Sequence, residues 1–120
     1  MSFAFFFPGQ GSQSLGMMNG FAEQAIVKAT FDEASAVLGQ DLWAMINGED
    51  AELIGQTVNT QPIMLAAGIA TYRAYLEAGG KIPSVVAGHS LGEYTALVAA
   101  GALDFTDAVK LVRLRAGLMQ

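Results

Sequence analysis

The pentapeptide Gly88-His89-Ser90-Leu91-Gly92 is the strongest chemical signal in the chain. It matches G-x-S-x-G in the setting that pattern requires, with a short apolar run (Pro83–Ala87) before it and a run of small apolar residues at Tyr94–Ala100 after it. On a sharp strand-to-helix turn a serine hydroxyl stands clear of the sheet and can attack a carbonyl carbon. Residues two before and two after come so close to such a turn that a Cβ would collide, which accounts for Gly88 and Gly92. A helix beginning near Leu91 aims its first N–H groups at the same place, so the Leu91 N–H can stabilise an oxyanion. The competing explanation is a glycine-rich turn that happens to hold a serine. A serine of ordinary acidity also needs a base within hydrogen-bond reach. His89 is the single histidine. Adjacent side chains on a sharp turn diverge, so His89 reads as a packed structural residue, and the base is missing from these residues.

Two further features carry possible chemistry. Pro8-Gly-Gln-Gly-Ser-Gln13 follows an apolar run, Phe3–Phe7. It is no dinucleotide fingerprint, because Ser14 stands where the third glycine of G-x-G-x-x-G belongs and Asp32–Glu33 fall in a helical stretch. Lying beside the serine turn, the loop could supply the Gln10 N–H as a second oxyanion donor; an ordinary turn is the alternative. On a wheel of about 100° per residue, Lys110, Arg113 and Gly117 share a polar face, whereas Arg115 falls inside the apolar stripe between Leu111/Leu118 and Val112/Met119. A guanidinium aimed at the core needs a partner, either a structural carboxylate or a cavity that receives an anion.

The elements that must position these residues follow from the punctuation of the chain. Phe3–Phe7 and Pro83–Ala87 read as strands buried on both faces, each leading into one of the loops above. Leu15, Met18, Phe21, Ala22 and Ala25 suggest a helical face, and Thr30 with Glu33 suggests a capping box opening a helix through Leu38. Asp41–Ile46 and Ala51–Ile54 fit single turns. Pro62–Ala78 reads as a helix with proline in its first turn and Gly79-Gly80 as its stop. Asp104 or Thr106 caps a last helix that reaches Gln120 without a stop signal. Strands alternating with helices predict an α/β architecture with a parallel sheet flanked by helices.

Composition narrows the function classes. Of the 120 residues 52% are hydrophobic and 14% charged, against about 25% charged in ordinary soluble proteins. Residues 1–22 and 82–92 carry no Asp, Glu, Lys or Arg at all. Such stretches belong in a core, beside a site, or against further polypeptide, so the composition suggests a fragment. With no cysteine and one histidine, a metal site has too few ligands. The net charge of −5 disfavours nucleic acid. No signal peptide and no run of the ~20 apolar residues that a membrane helix requires is present. A soluble cytoplasmic protein is expected, bound to no membrane.

Phe7-Pro-Gly-Gln-Gly-Ser-Gln13, Asn59-Thr-Gln-Pro62 and Gly88-His-Ser-Leu-Gly-Glu-Tyr94, in this order and spacing, resemble the malonyl-CoA:acyl-carrier-protein transacylases of fatty acid synthesis and the related acyltransferase domains of polyketide synthases. The resemblance runs from Phe3 to Gln120. It implies a hydrolase-like parallel sheet, with residues 1–120 as the truncated N-terminal part of the acyltransferase domain. The family's small ferredoxin-like subdomain and its catalytic histidine would both be absent. It also implies that Ser90 is the acylated nucleophile, that Gln10 and Leu91 N–H groups form the oxyanion hole, that Arg115 clamps the malonyl carboxylate, and that Gln61 lines the pocket. Substrates would be malonyl-CoA and the phosphopantetheine thiol of acyl carrier protein, with no resident cofactor. Met1 just ahead of the first strand favours a free-standing enzyme over a polyketide-synthase fragment. A serine esterase or thioesterase shares the turn but has no need of Arg115. A non-enzymatic docking fragment for carrier protein is disfavoured by the acidic balance, since carrier proteins are themselves acidic.

Overall fold

Two short parallel strands, β1 (Ala4–Phe7) and β2 (Val85–Gly88), pair in a register that sets Phe7 opposite Gly88. Both strands therefore end at the same level, and the loops that follow them leave the same edge of the sheet. The computed structural model describes residues 4–21 and 23–119. Phe3, Ala22 and Gln120, expected in a strand, on a helical face and at a helix end, lie outside those residues.

Between the strands the chain forms α1 (Ala25–Leu38), the short α2 (Leu42–Ile46) and α3 (Ala51–Gly55), and the long α4 (Thr57–Glu77). After β2 come α5 (Leu91–Ala99) and α6 (Phe105–Met119). Aspartates start three of them. Asp41 accepts from the Ala44 N–H at 3.0 Å, Asp50 from Glu52 and Leu53 at 3.0 and 3.2 Å, and Asp104 from Asp107 at 3.3 Å. The Thr106 hydroxyl also donates to Asp104 at 2.6 Å, and these bonds hold its carboxyl below the usual aspartate range.

Helix α4 is the hub. It packs against α1, α3, α5 and α6, and Ile63, Leu65, Ala66, Ile69 and Ala70 are buried around it. A helix apolar on every side is the expected solution for a central position. It begins five residues before Pro62, earlier than the sequence suggests. The Asn59 amide donates to the Leu53 carbonyl at 3.0 Å and the Thr60 hydroxyl to that of Ile54. These bonds to the carbonyls of α3 hold a first turn ahead of the proline.

Other expectations are corrected. Residues 15–21 form turns and a 3₁₀ turn (Asn19–Phe21) in place of a helical face, because Gly16 takes φ +72° and breaks the period. Thr30 caps nothing: it lies inside α1, bonds the Ile26 carbonyl at 2.8 Å, and with Glu33 holds Arg73. The strands are covered on one side. Phe5 and Phe7 meet Tyr72 of α4, and Phe5 also meets Tyr75, while Phe6 is 68% exposed and Val85 58%. No helix among the described residues is long and apolar enough to cross a membrane.

Candidate active site

The serine turn is built by close backbone packing. Ser90 takes φ 56°, ψ −115°, the one positive φ at a non-glycine residue among those described. A conformation of that kind costs on the order of 1–3 kcal/mol and survives only where its surroundings enforce it. They do so here. A Cβ at Gly88 would overlap the Gly92 carbonyl, and one at Gly92 would overlap the Phe7 carbonyl. The Gly92 and Glu93 N–H groups bond the His89 and Ser90 carbonyls, both at 3.0 Å. The buried Leu91 side chain anchors the start of α5, and its N–H is the first of the helix, directly after Ser90. Ser90 itself is exposed. His89 is exposed too, contrary to the packed role expected of it, because the turn throws both side chains outward.

The glycine loop lies against this turn. A Cβ on Gly9 would come within 3.1 Å of the His89 carbonyl, and Gly92 packs on the end of β1. The level strand ends produce this contact, so Gln10 and the serine turn share one edge, as the sequence suggests. Gln10 reaches further: its Oε1 accepts from the Thr57 hydroxyl at 3.1 Å.

Arg115 crosses to Ser90 from α6. Its Nη2 donates to Ser90 Oγ at 2.8 Å and its Nη1 to Gln61 Oε1 at 2.7 Å, while the guanidinium lies 5.5 Å from the centroid of the Tyr94 ring. These partners are an amide, a hydroxyl and an aromatic face, all of them neutral. Among the described residues no carboxylate pairs with Arg115. A cation left unneutralised beside an exposed hydroxyl can hold an anionic group while that hydroxyl attacks a carbonyl next to it. Gln61, wholly buried, braces the arginine from behind.

The wheel misjudged the neighbours of Arg115. The buried face of α6 is Phe105, Ala108, Val109, Val112 and Ala116, whereas Leu111, Leu114 and Leu118 are exposed. Arg115 thus sits at the border of the core, away from the middle of a buried stripe. Arg113 sits at the other border. Half-buried, it donates to Gln40, its Nε is buried without a partner, and desolvation lowers its pKa.

Ser90, Leu91, Gln10, Gln61 and Arg115 are therefore brought to one edge. The chain matches the acyl transferase domain family over residues 4–120. It belongs to that family. A malonyl CoA-acyl carrier protein transacylase of Escherichia coli K12 is 55% identical over 119 residues, covering 98% of this chain and 38% of that protein. An acyl-carrier-protein S-malonyltransferase from Burkholderia pseudomallei 1710b superposes with a TM-score of 0.95 at 62% identity, covering 98% and 38%. A malonyl-transacylase solved in complex with a type II PKS acyl-carrier protein gives 0.96 at 54% identity, covering 100% and 39%. The chain thus spans well under half the length of these acyltransferases.

Sequence reasoning missed two members of the site, Thr57 and Tyr94. Tyr94 stands three residues after Leu91, so one turn of α5 carries it to the guanidinium. Thr57 precedes Gln61 by four residues, a spacing that carries meaning only once α4 is seen to begin at Thr57.

Proposed function

We propose that the chain is the serine-bearing part of a malonyl-CoA:acyl-carrier-protein transacylase that supplies malonyl units for fatty acid synthesis. The observation that carries this reading is the 2.8 Å bond from Arg115 to Ser90, made by a guanidinium whose partners among the described residues are all neutral. Malonyl places a carboxylate two bonds from its thioester carbon, so an acyl group on Ser90 would bring that carboxylate to Arg115. A neutral acyl group would leave the arginine without a purpose, which weighs against an esterase or thioesterase.

In this mechanism Ser90 Oγ attacks the thioester carbonyl of malonyl-CoA. The C–O bond forms, the C–S bond breaks, and CoA leaves as the thiol once it takes up a proton. The Gln10 and Leu91 N–H groups hold the oxyanion of each tetrahedral intermediate. The phosphopantetheine thiol of acyl carrier protein then attacks the serine ester, and the proton returns to Ser90. No resident cofactor enters the scheme, and its setting is cytoplasmic.

The general base comes from polypeptide outside these residues, a reading supported by the solitary, outward-pointing His89. Since such a base contributes on the order of 10²–10⁴-fold, the 120-residue chain alone turns over little. The test uses a complete transacylase carrying these residues, incubated with malonyl-CoA and digested for mass spectrometry. Malonyl on the peptide containing Ser90, chased off by carrier-protein thiol, is the expected result. Acyl transfer to water in place of that thiol would make the protein a hydrolase.

A further inference from the structure

Thr57, the first residue of α4, has no role in the mechanism above, yet its hydroxyl joins two parts of the site. It donates its single proton to Gln10 Oε1 at 3.1 Å and accepts from Gln61 Nε2 at 2.9 Å. Gln61 Nε2 also faces Met119 Sδ at 3.5 Å, while Gln61 Oε1 accepts from Arg115 Nη1 at 2.7 Å. Donor accounting makes this directional. The Thr57 proton is committed to Gln10, so Thr57 offers Gln61 a lone pair, and the Gln61 amide must turn its N–H side toward Thr57. Its carbonyl then meets the guanidinium. Turned over, the amide would set N–H donors against the N–H donors of Arg115.

We propose that Thr57 is a positioning residue for carboxylate recognition: its hydroxyl fixes the Gln61 amide with the carbonyl toward Arg115, and thereby the fork of Arg115 beside Ser90. The inference rests on the transacylase reading. Gln61 is wholly buried and cannot recruit bulk water if the hydroxyl is removed. The link to Gln10 is solvent-exposed, and that loop is held independently by Gly9 against the His89 carbonyl. Loss of Thr57 therefore acts through Gln61 and Arg115, and spares the oxyanion donors.

The test replaces Thr57 with Val, which keeps the shape and removes the hydroxyl, and with Ser, which restores it, in a complete transacylase carrying these residues. Thr57→Val should lower kcat/KM for malonyl-CoA about tenfold, the scale of one hydrogen bond, mainly by raising KM. Acetyl-CoA, which has no carboxylate for Arg115 to hold, should change less than about twofold, and Thr57→Ser should recover most of the malonyl loss. Equal losses for both substrates, an unchanged malonyl rate, or a Ser variant as poor as Val would overturn the proposal. A crystal structure of Thr57→Val judges it without any activity: the Gln61 carbonyl should leave Arg115, and an unmoved contact contradicts the role. If the unsubstituted enzyme transfers no malonyl, the transacylase reading falls, while the crystal structure still decides what Thr57 does.

Discussion

The carboxyl edge of the sheet and its uncovered flank are built to different standards. At the edge, Gln10, Thr57, Gln61, Arg115 and Ser90 form one continuous run of hydrogen bonds, and glycines allow backbone to touch backbone around Ser90. Away from it, Phe6 and Val85 of the strands, Leu97 of α5 and Leu111, Leu114 and Leu118 of α6 stand exposed. The difference separates what these residues accomplish among themselves from what they do not. The arrangement around Ser90 is local, fixed by two parallel strand ends and three helices. Burial of the apolar surface is incomplete, and exposed patches beyond a few hundred Å² promote association.

The largest contrast should come from two glycines. Gly92→Ala drives a Cβ into the Phe7 carbonyl, and backbone cannot rotate away as a side chain would. We expect a loss of about 1–3 kcal/mol in denaturant unfolding of a complete protein, as for other overpacked sites, together with loss of Ser90 acylation. Gly117→Ala, on α6 with open space around it, should instead gain about 0.4–1 kcal/mol and leave acylation unchanged. Equal effects at the two positions would erase the distinction between edge and flank.

A smaller effect tests the flank directly. The 120-residue chain should self-associate in sedimentation at micromolar concentration, and the double variant Leu114→Lys, Leu118→Glu should shift it toward monomer. A parent chain that is already monomeric across that range would show that the exposed leucines are not sticky.

What could be read from the sequence divides along the same line. The serine turn was legible because its requirements are local: two glycines at fixed offsets, an apolar strand before, a helix after. The start of α6 was legible because Asp104 caps it through neighbours two and three residues away. The start of α4 was not, since Asn59 and Thr60 reach carbonyls of α3, a tertiary arrangement that overrides the helix-start signal of Pro62. That error hid Thr57. Thr30 and Glu33 looked like a capping box, but they serve Arg73 from α4, a partner 40 residues or more away. Phe3–Phe7 reads as doubly buried because its residues are uniformly apolar, and pattern alone does not say which face is covered.

Carboxylate recognition by Arg115 is tested most directly by kcat/KM for malonyl-CoA and acetyl-CoA in a complete transacylase bearing Arg115→Ala. Two charge-assisted hydrogen bonds, each worth about 1.5–3 kcal/mol, would be removed, so malonyl transfer should fall about 10²–10⁴-fold. Acetyl transfer should fall little, and Arg115→Lys should rescue malonyl transfer only in part, because an ammonium lacks the fork. Exposed Lys110→Ala is the control on the same helix, since half-buried Arg113 is bound to Gln40 and would disturb packing. An equal fall for both substrates in Arg115→Ala would contradict this, and would mean that the arginine supports the turn without reading the substrate.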